Sequence, residues 1–235
     1  LYERFPENWL MDEKYKGDVT DIKNIGYWEE YFKNSVDFYT SDLGMDVSHD
    51  YAKQEQIQLP PNIGQILAGL VVLKKGGSMV TKQYTIFHTQ NLSILALLTN
   101  LFEDVYVAKP ITSRPFNSET YIVCKHFKGP FKINSYEYKI IELIKDKIRN
   151  YNELPFIKKE CFSKEFLSSI KDVYNNIFYR QIDIINEEIE YFNKLEITDS
   201  FYKRKEIYKK IEKYRRKIVN LWHSKIKLTK LEKTN

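Results

Sequence analysis

Alternating and helical spacings of apolar residues succeed one another over the first 130 residues, and only helical spacing follows. From Val36 to Ser41 the run VDFYTS is β-branched and aromatic, ends at Asp42 and gives way to a Gly-containing loop, which predicts a buried parallel strand. Residues 61–75 place Ile63, Ile66, Leu67, Leu70, Val71 and Leu73 at helical intervals, with Gly76-Gly77 as the expected stop. SMVTKQY then reads as a strand, and TQNLSILALLTNLF as a helix capped by Thr89. FEDVYVAKP reads as a further strand, and ETYIVCKHF, opening at Glu119, as the last. This order is that of the back half of a doubly wound sheet. The first connections imply right-handed parallel crossovers, and the short TSRPFNS loop implies an antiparallel pair at the sheet end.

Gly129-Pro130 marks the change of character, after which residues 136–150, 163–195 and 199–230 read as helices. The expected organisation is an α/β domain over residues 1–130 and an all-α extension over 131–235. In the last helix Ile207, Ile211, Tyr214, Ile218 and Leu221 recur at intervals of four and three, a stripe that allows a homodimer or a protein partner. Charge sharpens this picture. The whole chain carries +5, but residues 199–235 carry 13 basic and 4 acidic side chains, whereas the rest sums to −4. The tail therefore suits an anionic partner, although a helical hairpin with a solvated charged face has the same pattern.

A hydrophobic fraction of 43%, with 15% aromatic residues, is enough for one ordinary core and a helical unit, and excludes a disordered chain. Cys124 and Cys161 are too few for a disulfide framework, so a reducing, cytoplasmic compartment is expected. The most apolar window, residues 63–73, is about half the length that crosses a bilayer, so no membrane span is expected. No metal site is expected either, because His49, His88, His126 and His223 lack ligand spacing with the two cysteines.

Three charged residues fall where a doubly wound sheet places its functional groups, at strand ends: Asp42, Lys82 and Glu119. Singly, each also reads as a loop cap, a solvated lysine or a surface carboxylate. Taken together, TSDLGMDV, LKKGGSMVTK and KPITSRPFNSETYIVCKHFKG resemble the motifs of FtsJ-type and cap-specific RNA 2′-O-methyltransferases over residues 10–130. The resemblance implies the C-terminal half of a Rossmann-like methyltransferase sheet with helices on both faces, followed by the helical extension. It implies S-adenosyl-L-methionine as cofactor, RNA, and capped mRNA in particular, as partner, and methyl transfer to a ribose 2′-hydroxyl. Of the family's Lys-Asp-Lys-Glu tetrad it carries over the last three members to Asp42, Lys82 and Glu119, with Asp42 also on the cofactor side. GDVTD resembles the family's Gly-Asp-hydrophobic-Thr segment, which makes Asp18 an adenine contact. Lys109, Arg114 and Lys125 are the residues expected to meet RNA phosphates.

Attack by a 2′-hydroxyl on a sulfonium methyl requires help, since the free hydroxyl is a poor nucleophile. Lys82 supplies it either as an ammonium beside the developing alkoxide or as a neutral base, with Asp42 and Glu119 holding it in place. The sequence departs from the family in two ways. Residues 1–16 hold no Gly-rich loop, and only Lys14 and Lys16 stand near the place of the first tetrad lysine; Leu43 replaces a glycine usual beside Gly44 in cap enzymes. Two readings follow: an active enzyme whose N-terminal lobe lies in further sequence, or an inactive methyltransferase-like module that binds RNA or a protein. Three charged groups at strand ends favour the first.

Overall fold

The computed structural model describes residues 3–10, 17–110, 113–114, 117–132, 134–150, 157–196 and 201–225; Lys14 and Lys16 lie outside them. The chain divides into two compact units, Leu1–Ala108 with Glu119–Leu167, and Lys109–Ser118 with Ser168–Asn235. The first holds α1 (Ile22–Phe32), β1 (Val36–Ser41), α2 (Gln54–Val72), β2 (Leu73–Gln83), α3 (Thr89–Leu101), β3 (Phe102–Ala108), β4 (Thr120–Phe127) and α4 (Tyr136–Lys147). The second holds most of α5 (Lys164–Glu196) and all of α6 (Phe201–Lys225). Among the described residues no helix is long and apolar enough to cross a membrane.

The four strands form one mixed sheet in the order β1-β2-β4-β3, with β1 and β2 parallel and β4 antiparallel to both of its neighbours. The last two strands are antiparallel, as expected, but β4 lies inside the sheet and β3 takes the edge. Burial explains the order. Thr120, Ile122, Cys124 and Phe127 of β4 are all buried, whereas in β3 only Phe102 is, and an interior strand must bury side chains that an edge strand leaves in water. Ile63, Leu67 and Leu70 of α2 pack in the core with Leu73, Met79, Leu98, Ile122 and the Phe102–Phe127 ring pair, whose centroids lie 5.1 Å apart.

Several boundaries differ from the expected ones for local reasons. Helix α1 is not anticipated above, although Asp21 caps it by accepting from the Lys23 amide at 2.9 Å and its apolar residues Ile22, Ile25, Trp28 and Phe32 are helically spaced. Helix α2 begins seven residues before Pro61 and runs through Pro60 and Pro61 to Val72. Gly76-Gly77 does not stop it but lies within β2, where the pairing register with β1 shifts. Gly76 adopts φ +83°, and a Cβ on Gly77 would stand 2.9 Å from the Lys74 carbonyl oxygen, so the pair permits a bulge. Thr89 is the first helical residue of α3 rather than its cap; His88 holds the cap position without a side-chain bond.

Glu55 serves that helix end instead. Buried in α2, it accepts from the amides of Phe87 and His88 at 2.8 Å each, from Asn91 Nδ2 at 2.7 Å and from the Thr85 hydroxyl at 3.2 Å. The network continues inward: Gln83 donates to Asn91 at 3.1 Å, Asn62 donates to Gln83, and Gln65 donates to Asn62 at 3.3 Å. All five side chains are buried, and each satisfies its neighbour. Replacing Glu55 with Gln keeps an acceptor but removes the charge, and is expected to cost about 1–2 kcal/mol. A thermal melt several degrees lower would show this; an unchanged melt would refute it.

Candidate active site

Parallel pairing aims the C-terminal ends of β1 and β2 at one rim, and the reversed β4 begins there. Ser41 is paired with Thr81, so Asp42 and Lys82 follow in step, and Lys82 is paired directly with Tyr121. Glu119 stands two residues before Tyr121, on the same side by the two-residue period of extended chain. The three residues singled out by the sequence therefore converge. Lys82 Nζ lies 3.0 Å from Asp42 Oδ1 and 3.4 Å from Glu119 Oε2. Its side chain is only 13% exposed, against 70% for Asp42 and 22% for Glu119.

Two tyrosines complete the cluster. The Tyr121 hydroxyl lies 3.1 Å from both Asp42 Oδ1 and Glu119 Oε1, bridging the two carboxylates. The Tyr84 ring centroid is 5.9 Å from Lys82 Nζ, and its hydroxyl walls Gly44, where a Cβ would meet it at 2.7 Å. Burial disfavours the Lys82 ammonium, but the Asp42 hydrogen bond and the fields of Tyr84, Glu119 and Asp42 together outweigh it and hold its pKa above the ordinary 10.5. Because the folded value is raised, the stabilisation from this group is fully present below pH 10.5 and fades only as pH climbs through the higher folded value. Lys82 is thus an ammonium at neutral pH. An ammonium there can favour negative charge that develops beside it.

The loop after Asp42 is fixed from α2. The Leu43 amide donates to Gln65 Oε1 at 2.8 Å, and Gln58 clasps Met45, accepting from its amide at 3.2 Å and donating to its carbonyl at 2.7 Å. That loop forms one wall of a cleft of about 520 Å³ whose lining includes Asp18, Thr20, Leu43, Gly44, Pro61 and Arg149. Asp18 Oδ1 accepts from the Thr20 amide at 2.8 Å and hydroxyl at 2.7 Å, while Arg149 approaches Oδ2 at 3.5 Å and Asp21 at 3.2 Å. The Thr20 hydroxyl does most to depress the Asp18 pKa; partial burial opposes it, and the Thr20 amide and Arg149 add to it. The cleft thus carries an ionised carboxylate at Asp18, an acceptor for an amino donor, and is lined as well by Gly44, where a Cβ would lie 3.6 Å from Lys82 Nζ.

Lys109, Arg114 and Lys125 are not brought into this cluster. Lys109 and Arg114 belong to the second unit, where Lys109 Nζ donates to the Asn117 carbonyl at 2.9 Å and to its side-chain oxygen, and Arg114 is exposed. Lys125 lies toward the other end of β4, 5.5 Å from the Tyr106 ring centroid. Conversely, Tyr121, Tyr84, Gln58 and Gln65 shape the site without being singled out by the sequence. Only Tyr121 carried a signal, its two-residue offset from Glu119. Tyr121→Phe keeps the ring and removes only the hydroxyl that bridges Asp42 and Glu119, and is expected to cost about 1 kcal/mol of stability. A thermal melt checks this; an unchanged melting temperature would show that the bridge contributes nothing to the fold.

Comparison with known proteins gives the family. The FtsJ-like methyltransferase family model matches residues 10–127. The chain is 32% identical over 236 residues to the probable methyltransferase EP424R of African swine fever virus (isolate Pig/Kenya/KEN-50/1950), covering 94% of this chain and 54% of that protein. It is 27% identical over 233 residues to the cap-specific mRNA (nucleoside-2′-O-)-methyltransferase 2 of Drosophila melanogaster, covering 96% of this chain and 32% of that protein. Protein L511 of Acanthamoeba polyphaga mimivirus is 31% identical over 240 residues, covering 100% of this chain and 29% of L511. The chain thus spans about half the length of the African swine fever virus relatives, and less of the other two. With the family model matching half its residues and the acidic pair closed around Lys82, the chain belongs to the FtsJ-like methyltransferase family.

Proposed function

We propose that the protein to which this chain belongs transfers a methyl group from S-adenosyl-L-methionine to a ribose 2′-hydroxyl of RNA, at the mRNA cap. The observation that carries this reading is the shielded Lys82 ammonium held between Asp42 and Glu119 at a sheet rim beside a cleft. The cofactor, when bound, supplies an electrophilic methyl group on a sulfonium. Asp18 is the residue that would receive its adenine amino group. Lys82 Nζ donates to the 2′-oxygen and favours it as negative charge develops, while Asp42, Glu119 and the bridging Tyr121 hydroxyl fix where Nζ points. The exposed Asp42 carboxylate gives the released proton a route to water. RNA is the fitting substrate because the 2′-hydroxyl is the group that separates it from DNA. Lys109, Arg114 and Lys125 are proposed phosphate contacts, and the cap-specific relative supports the cap as the target.

Transfer of radiolabelled methyl groups from S-adenosyl-L-methionine to capped and uncapped RNA by the full-length protein tests the reading. Cap-dependent transfer is the expected result. Binding of RNA without transfer would instead make the protein an inactive methyltransferase-like module.

A further inference from the structure

Within the second unit, Lys109, Pro110 and Ser113 line a pocket of about 250 Å³ together with Asn176, Ile177, Arg180 and Gln181 of α5. Its chemistry is one-sided: two cations, a hydroxyl and two amides around apolar Ile177 and Pro110, with no carboxylate among the lining residues. Two of these donors already hold the loop. Lys109 Nζ and Gln181 Nε2 both donate to the Asn117 carbonyl. Arg180 differs from them: among the described residues its guanidinium has no hydrogen-bond or ion-pair partner. A planar fork of donors left unspent beside a pocket without acidic groups matches a phosphate oxygen pair. The volume equals about eight waters at ~30 Å³ each, room for a phosphate with its ribose rather than for stacked bases.

We propose that this pocket is a phosphate subsite for the RNA strand, with Arg180 as its charged donor and Asn176 as a neutral one. The proposal rests on the reading that the protein acts on RNA. The test is fluorescence anisotropy of a short labelled single-stranded RNA with the full-length protein, across a salt series and in the presence of S-adenosylhomocysteine. Arg180→Gln should weaken binding and reduce the slope of log affinity against log salt by about 0.7, one phosphate contact on a single strand. Arg180→Lys should restore the slope, and Lys128→Gln, whose exposed ammonium donates to the Asn100 carbonyl at 2.8 Å, should leave it as in the wild type. RNA binding and methyl transfer by the wild type, with an unchanged slope in Arg180→Gln, would overturn the subsite and leave the proposed function standing. A wild-type protein that binds no RNA would overturn both.

Discussion

Lys82→Ala in the full-length protein should lower methyl transfer to RNA by about 10²–10⁴-fold, the range a positioned acid–base or charge-stabilising group supplies. Affinity for S-adenosylhomocysteine should stay as in the wild type, because Lys82 is not among the residues lining the cleft that holds Asp18. Removing the ammonium also leaves Asp42 and Glu119 facing each other across the Tyr121 hydroxyl, so the carboxylates lose the charge that kept them together. The pH profile distinguishes the two roles a lysine can play. An ammonium held above its ordinary pKa gives a rate that does not climb with Lys82 deprotonation between about pH 7 and 10, and that falls only beyond. A rate rising tenfold per pH unit across that window, and lost in Lys82→Ala, would make Lys82 the base instead.

Gly64→Ala should be the most damaging single-methyl change in the first unit. A Cβ there would lie 2.3 Å from the Val19 carbonyl oxygen and 2.8 Å from its carbonyl carbon, so backbone, and not a side-chain tip, must move. Overpacking of this kind costs about 1–3 kcal/mol, read at roughly 2–4 °C of melting temperature per kcal/mol in a chain of this size. The strain falls on the turn that carries Asp18 and Thr20, so S-adenosylhomocysteine binding should weaken in parallel. Gly26→Ala is the counterpart: nothing lies within 4 Å of a Cβ at this position in α1, and the substitution should be neutral or stabilising by up to about 1 kcal/mol. Equal melting temperatures for the two variants would contradict this account.

What could be read in the sequence was what is decided locally. β1 spans Val36–Ser41 and pairs in parallel with β2, as VDFYTS predicted, but it is not the buried strand expected: it stands at the edge of the described sheet, none of its residues is buried and Phe38 is 59% exposed. The Asp42, Lys82 and Glu119 positions followed from the strand ends and the motifs around them. The rest depends on pairings distant in sequence. No local pattern places β4 between β2 and β3, or brings Gln58 and Gln65 of α2 to the loop at Leu43–Met45. Pro60-Pro61 read as a helix boundary, yet α2 continues through it, its buried Gln58, Leu59 and Pro61 packed against the surrounding core. Glu55 is not singled out by the sequence, since nothing nearby in the chain announces the amides of Phe87 and His88 that it caps.

The interior place of β4 also orders how the site is assembled. Among the described strands β3 is joined to the sheet through β4 alone, so the two enter or leave as one hairpin against β2. Glu119 and Tyr121 travel with that hairpin, whereas Asp42 and Lys82 belong to the parallel pair of β1 and β2. The contact that completes the cluster is therefore long-range and arrives with the hairpin, and any excursion that unzips β4 from β2 dismantles the lysine's surroundings in a single step. Solvent exchange at the β2–β4 amides is in this sense a clock for how often the site comes apart.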